Sequence, residues 1–157
     1  MIKKLLSFTL AALTAASVSS SLASFGTANV RSLLKEDSLV VYDEDLGYLK
    51  GIFPDTAVKA FKSNFISDIT VKDASGNAAS DDAPVGTDFT VTADGAEFKT
   101  LVYGDVNRDG KVDTKDVIFM IRKSIGWDID ANMTAFDVNR DGTQNSKDII
   151  TVIRKLV

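Results

Sequence analysis

Asp105-Val-Asn-Arg-Asp-Gly-Lys-Val-Asp-Thr-Lys-Asp116 and Asp137-Val-Asn-Arg-Asp-Gly-Thr-Gln-Asn-Ser-Lys-Asp148 are near-copies, 32 residues apart (137 − 105). Each carries an oxygen donor at positions one, three, five, nine and twelve and a glycine at position six. That pattern suits a hard cation, because Ca²⁺ takes six to eight oxygens at once and a short loop must curl to supply them. Glycine at position six permits the sharp reversal that turns the last donors toward the first. A chance match to five Asp/Asn positions and one glycine is about one in a million per starting point, so two in tandem are not coincidental surface turns.

The first loop offers side-chain oxygen from Asp105, Asn107, Asp109, Asp113 and Asp116, with the backbone carbonyl of Lys111 at position seven. The second repeats this with Asp137, Asn139, Asp141, Asn145 and Asp148, and the carbonyl of Thr143. Two Ca²⁺ ions are therefore expected. Mg²⁺ is disfavoured, since so many carboxylate and carbonyl positions suit a larger and more flexible sphere than a near-ideal octahedron. Asn145 replaces the acid that Asp113 provides, so the first loop, with one more carboxylate, is expected to bind more tightly.

Composition excludes much else. The 157 residues contain no histidine and no cysteine. This removes Ser-His-Asp and Cys-His nucleophiles, zinc sites built on imidazole or thiolate, and any disulfide framework. A net charge of −4 argues against a nucleic-acid partner, which needs a clustered Lys/Arg surface. At the start, Lys3 and Lys4 precede an apolar run from Leu5 to Val18 and a Ser/Ala-rich stretch. This pattern predicts a secretory signal peptide over 1–23, cleaved after Ala23 or as late as Ala28. An uncleaved anchor is disfavoured because the run is shorter than the roughly 18 residues a span requires. An extracellular protein with no membrane contact after cleavage is expected.

Residues 24–38 read as a linker and 39–103 as a small module of unknown role. Leu39 to Tyr42 and Tyr48 to Phe53 read as strands around the turn 43–47, and Pro54 ends the second. Asp55 or Thr56 is placed to cap a helix through about Phe65, with Val58, Phe61, Lys62 and Phe65 at three-to-four spacing. Strands are expected at Asp68 to Lys72, Asp88 to Thr92 and Glu97 to Tyr103, with turns at Ser75-Gly76-Asn77 and Asp94-Gly95. The order is strand, strand, helix, then three strands. Asp43, Glu44 and Asp45 are the one group resembling paired catalytic carboxylates, but three adjacent acids on a turn of so small a module read as a solvated surface. Phe61, Phe65, Phe89 and Phe98 read as core, and Tyr42, Tyr48 and Tyr103 are too scattered for a sugar-stacking platform.

Each loop runs directly into an apolar-rich helix, from Asp113 or Thr114 to Ile125 and from Ser146 to Val157. A strand, rather than the entering helix of an ordinary EF-hand, precedes the first loop. The apolar residues Val117, Ile118, Phe119, Met120, Ile121 and Ile125, with Ile149, Ile150, Val152, Ile153 and Leu156, exceed one helical stripe. Some must face the other repeat and others a partner. Gly126 is suited to end the first helix in a left-handed conformation, with Trp127 folded back over the helix pair.

The duplicated loop and exit helix over Gly104 to Val157, with Asp-Val-Asn-x-Asp-Gly and a closing Asp where an EF-hand usually has Glu, closely resembles the type I dockerin family. The whole chain is thus expected to be α+β: the small sheet module over 39–103, then an all-α dockerin over 104–157. The resemblance implies a non-catalytic docking module that binds a cohesin on a scaffoldin, attaching its polypeptide to a cellulosome for polysaccharide breakdown. It also implies partner contacts at positions ten and eleven of each loop and later on the exit helix. Here those are Thr114, Lys115, Arg122 and Lys123, then Ser146, Lys147, Arg154 and Lys155. A monomer apart from its cohesin is expected. The alternative is that the middle module is a carbohydrate binder, an inhibitor or a minimal glycoside-hydrolase-associated module delivered by the dockerin.

Overall fold

The computed structural model describes residues 30–157; the expected signal peptide and its cleavage points lie outside the described residues. It combines helices with a five-stranded sheet, as an α+β reading requires. Strands β1 (Val41–Asp43) and β2 (Tyr48–Lys50) form an antiparallel hairpin. The Asp43 carboxylate accepts from Leu46 N–H and pairs with Lys50, so the first of the three adjacent acids is structural. After α1 (Val58–Lys62) come β3 (Thr70–Lys72), β4 (Thr90–Ala93) and β5 (Ala96–Thr100). The sheet order is β1-β2-β5-β4-β3. Only β2 and β5 run parallel, with Leu49 opposite Thr100. Asp94 and Gly95 both have positive φ, 47° and 80°, the two-residue reversal that matches strand twist.

Alternation buries one face of the sheet. Leu49, Val71, Val91 and Phe98 pack with Val58, Phe61 and Phe65 in the main core. The phenylalanine pair meets edge to face at 5.3 Å. Helix α1 is shorter than the Asp55-to-Phe65 span expected, and neither Asp55 nor Thr56 caps it. Its N-cap is Ala57, which makes no side-chain cap bond. The backbone carbonyls of Ala83 and Asp81 instead accept from Val58 and Lys59 N–H, satisfying the first-turn donors that a capping side chain would otherwise serve. Asp55 sits at φ 59°, outside helical geometry.

Residues 30–34, which lie in the stretch 24–38 expected to be a linker, pack into the fold. Residues 30–33 are helical, Val30 and Leu33 are buried in the main core, and Leu34 bridges Phe65.

Beyond β5 the elements are α2 (Thr114–Ser124), the single turn α3 (Met133–Phe136) and α4 (Ser146–Leu156). Their core joins Met120 of α2 and Val152 of α4 with Leu101, Val106, Ala135, Phe136 and Val138. A strand does precede the first loop, as expected, and only the one-turn α3 precedes the second. Gly126 ends α2 at φ 86°, with Trp127 N–H bonded to Arg122 O and Gly126 N–H to Lys123 O. That crossed pair is a Schellman close. Trp127 folds back only onto Arg122 of α2 and does not cover the helix pair: it is 54% exposed, with the Arg122 guanidinium 5.3 Å from its ring centroid. The chain turns away after the left-handed glycine, and a cation–π contact replaces burial.

Candidate metal centres and docking face

In both loops the candidate donors accept from the loop's own amides, and in the first Asp105 also accepts from Thr87 N–H. Asp105 Oδ1 accepts from Asp109 N–H (3.0 Å) and Oδ2 from Gly110 N–H (3.2 Å). Asn107 Oδ1 also accepts from Asp109 N–H at 2.9 Å, and Asp109 Oδ1 from Lys111 N–H at 3.0 Å. Asp116 reaches back across the loop: Oδ1 accepts from Val106 (3.0 Å) and Asn107 (3.3 Å), and Oδ2 from Asp113 N–H (2.9 Å). Positions nine and twelve thus double as a capping box, with Asp113 as N-cap and Asp116 at N3 of α2. The acids that close the loop also start the exit helix.

The second loop repeats this arrangement. Asp137 accepts from Asp141 (3.1 Å) and Gly142 (2.9 Å), Asn139 from Asp141 (2.8 Å), and Asp141 from Thr143 (2.9 Å). Asp148 accepts from Asn139 (3.1 Å) and Asn145 (3.0 Å), and Asn145 caps α4. The Thr143 carbonyl accepts from the Asn145 side chain at 3.2 Å. Lys111 is fixed at position seven by the same kind of bond that fixes Thr143. Both reversals use positive φ at positions four and six: Arg108 (68°) with Gly110 (81°), and Arg140 (60°) with Gly142 (79°).

Asp105, Asp116 and Asp148 have no exposed surface. Burial, reinforced by the nearby Asp116 charge, pushes the Asp105 carboxyl up to about 7, although Thr87 and Gly110 N–H bonds pull the other way. Burial likewise raises Asp116 against its three amide donors. Buried carboxylates whose ionised forms are disfavoured gain most from a bound cation, which fits a calcium loop. Among the described residues, no three or more acidic side chains are gathered into a ready-made cluster. The donor set expected from the sequence does not rely on acids alone; it also calls on Asn amide and backbone carbonyl oxygens.

Of the expected partner-contact residues, Thr114, Lys115, Arg122, Ser146, Lys147, Arg154 and Lys155 are exposed on α2 and α4. Lys123 is half-buried and donates to the Ile129 carbonyl at 3.2 Å. Lys115 Nζ lies 3.4 Å from Asp109 and Lys147 Nζ 3.9 Å from Asp141, so each also leans over its own loop. Beside them Ile118, Ile121 and Ile125 are exposed, and so are Ile150, Ile153 and Val157 at the matching positions. Apart from Lys123, whose copy Lys155 is exposed, both helices therefore present a matching mixed apolar and basic surface.

A second network was not anticipated. Arg108 donates from Nε to Asp88 (2.6 Å) and through Nη1 and Nη2 to Asp130 (2.7 and 2.9 Å). Asn132 donates to Asp88 (2.9 Å) and to Tyr48 Oη (3.2 Å), and Tyr48 Oη donates to Asp88 (2.9 Å). Burial opposes ionisation of Asp88, but the bonds from Asn132, Arg108 and Tyr48 outweigh it and hold the carboxyl below its ordinary value. The signal in the sequence was the arginine at position four of both loops. Its copy, Arg140, instead stacks over Tyr103 at 4.4 Å.

No curated protein and no solved structure matches this chain. Residues 103–157, which hold both loops and both exit helices, match the family model of the dockerin type I domain.

Proposed function

We propose that the chain is a secreted, non-catalytic docking protein that binds two Ca²⁺ and attaches its N-terminal module to a scaffoldin cohesin. A dockerin type I domain is a calcium-binding, cohesin-binding module of cellulosomes, and residues 103–157 match that family. The observation that carries the reading is the twice-repeated loop whose twelfth-position acid also starts the exit helix. Asp105, Asn107, Asp109, Lys111, Asp113 and Asp116 hold the first ion, and Asp137, Asn139, Asp141, Thr143, Asn145 and Asp148 the second, Lys111 and Thr143 through their carbonyls. Calcium neutralises carboxylates that otherwise repel one another, which couples metal binding to folding of the loops.

The surface read by the cohesin comprises Thr114, Lys115, Arg122 and Lys123 with their copies Ser146, Lys147, Arg154 and Lys155, around the exposed isoleucines. Attachment outside the cell follows from the leader expected over 1–23. Among the described residues no helix is long and apolar enough to cross a membrane. The chain is a monomer until it meets its cohesin. A pull-down of the full chain on immobilised type I cohesins, in calcium and in EGTA, tests this. Calcium-dependent capture by at least one cohesin supports the reading, and no capture by any member of a broad panel opposes it.

A further inference from the structure

The two loops are near-copies in sequence but not in surroundings. Asp105 Oδ2 accepts a third bond, from Thr87 N–H of the N-terminal module, at 2.7 Å. Thr87 is itself fully buried, with Oγ1 donating to Val102 O at 3.1 Å and accepting from Val102 N–H at 3.2 Å. On either side the module touches the loop backbone. A Cβ on Gly86 would lie 2.7 Å from Arg108 O, 2.7 Å from the Phe89 ring and 3.0 Å from Gly110 N, and one on Gly110 would lie 2.9 Å from Pro84. Asp55 N–H donates to Gly110 O at 3.1 Å, and Asp88 holds Arg108. The second loop has less cover: Arg140 stacks over Tyr103, but a Cβ on Gly142 would meet nothing within 4 Å, and among the described residues the Asp137 carboxylate accepts only from amides of its own loop.

We propose that residues 84–88 clamp the first calcium loop, with Thr87 a positioning residue for Asp105, so that the N-terminal module and the first calcium site form one linked unit while the second site binds independently of the module. A carboxylate offers about four lone-pair directions. Three on Asp105 are taken by the Asp109, Gly110 and Thr87 amides, which leaves one and fixes where it points. Outer bonds of this kind set a ligand's orientation, and their loss typically weakens metal binding about 10- to 100-fold. The module then tunes one site of the docking domain and supplies no such amide to the other.

The inference rests on calcium occupying the first loop, so the test separates the two. Calcium is titrated calorimetrically into the full chain carrying Asp137→Ala, which isolates the first site, and carrying Asp105→Ala, which isolates the second. Adding Gly86→Val, whose side chain would push the segment off the loop, should weaken the first site by about tenfold or more and change the second by less than about twofold. Equal losses at both sites, or none at either with the fold intact by circular dichroism, would overturn the clamp. In case Gly86→Val fails to fold, the Thr87 amide resonance of the Asp137→Ala chain is followed during the same titration. It should move in step with that of Gly110, and a Thr87 signal that stays fixed while Gly110 moves would overturn the clamp. An Asp137→Ala chain that binds no calcium removes the premise itself.

Discussion

Met120 and Val152 occupy equivalent positions in the two repeats, 32 residues apart, and both are fully buried where α2 meets α4. One residue on in each repeat, Ile121 and Ile153 are 44% and 42% exposed. Truncating Met120 to alanine removes a buried side chain from a core of only a few residues, for which about 2–5 kcal/mol is expected. Val152→Ala removes two carbon atoms and should cost about 1.5–2.5 kcal/mol. Ile121→Ala and Ile153→Ala should stay within about 0.5 kcal/mol, because over two-fifths of each side chain is already in water and alanine's better helix propensity offsets part of the burial lost. The assay is urea unfolding in saturating calcium, followed by circular dichroism at 222 nm. With a slope of about 2 kcal/mol per M, Met120→Ala should lower the midpoint by about 1–2.5 M and Ile121→Ala by less than about 0.3 M. Cohesin binding should rank the two faces the other way, with Ile121→Ala and Ile153→Ala combined losing affinity while stability holds. Equal destabilisation by Met120→Ala and Ile121→Ala would refute the division of the helix into a packed face and a docking face.

Asp105→Ala should remove the tighter calcium site and Asp137→Ala the weaker, since the first loop has one more carboxylate and is enclosed; calorimetry finding the first loop weaker contradicts this. Because both helices present the same residues, Lys115→Ala with Arg122→Ala should weaken cohesin binding far less than the same pair combined with Lys147→Ala and Arg154→Ala. Loss of all binding from one repeat's pair would exclude docking in two orientations related by a half-turn. The Asp88 carboxyl sits below its unfolded value of 3.8, so its contribution to stability is present above that pH and lost as the pH falls through the folded value. Asp88→Asn should therefore flatten a stability profile taken from about pH 4.5 down to about pH 2, and an unchanged slope there would count against the network.

Much of the architecture was legible because the local signals agreed with one another. The two loops could be read because their donors and glycines recur at fixed offsets and nothing distant alters them. The hairpin turn at Asp94-Gly95 and the Gly126 close were equally readable, since positive φ is a local demand. Features that depend on distant partners were not legible. Helix α1 needs no Asp55 cap because the 81–83 carbonyls come from elsewhere in the chain to serve its donors. Val30 and Leu33 look like part of a polar lead-in until the core they fill is assembled. The left-handed close at Gly126 suggests Trp127 lying over both helices, whereas Arg122 of α2 gives its ring a contact in solvent. The difference between the loops lay in Thr87 and Asp88, which carry no motif and matter only through what they touch.

The central claim is that calcium-filled loops present a cohesin-binding surface. Its most direct test is calorimetric titration of a type I cohesin into the full chain, first in millimolar calcium and then after dialysis against EGTA. Saturable one-to-one binding in calcium that disappears in EGTA and returns when calcium is restored is the predicted result. Binding of equal strength in both conditions would contradict it.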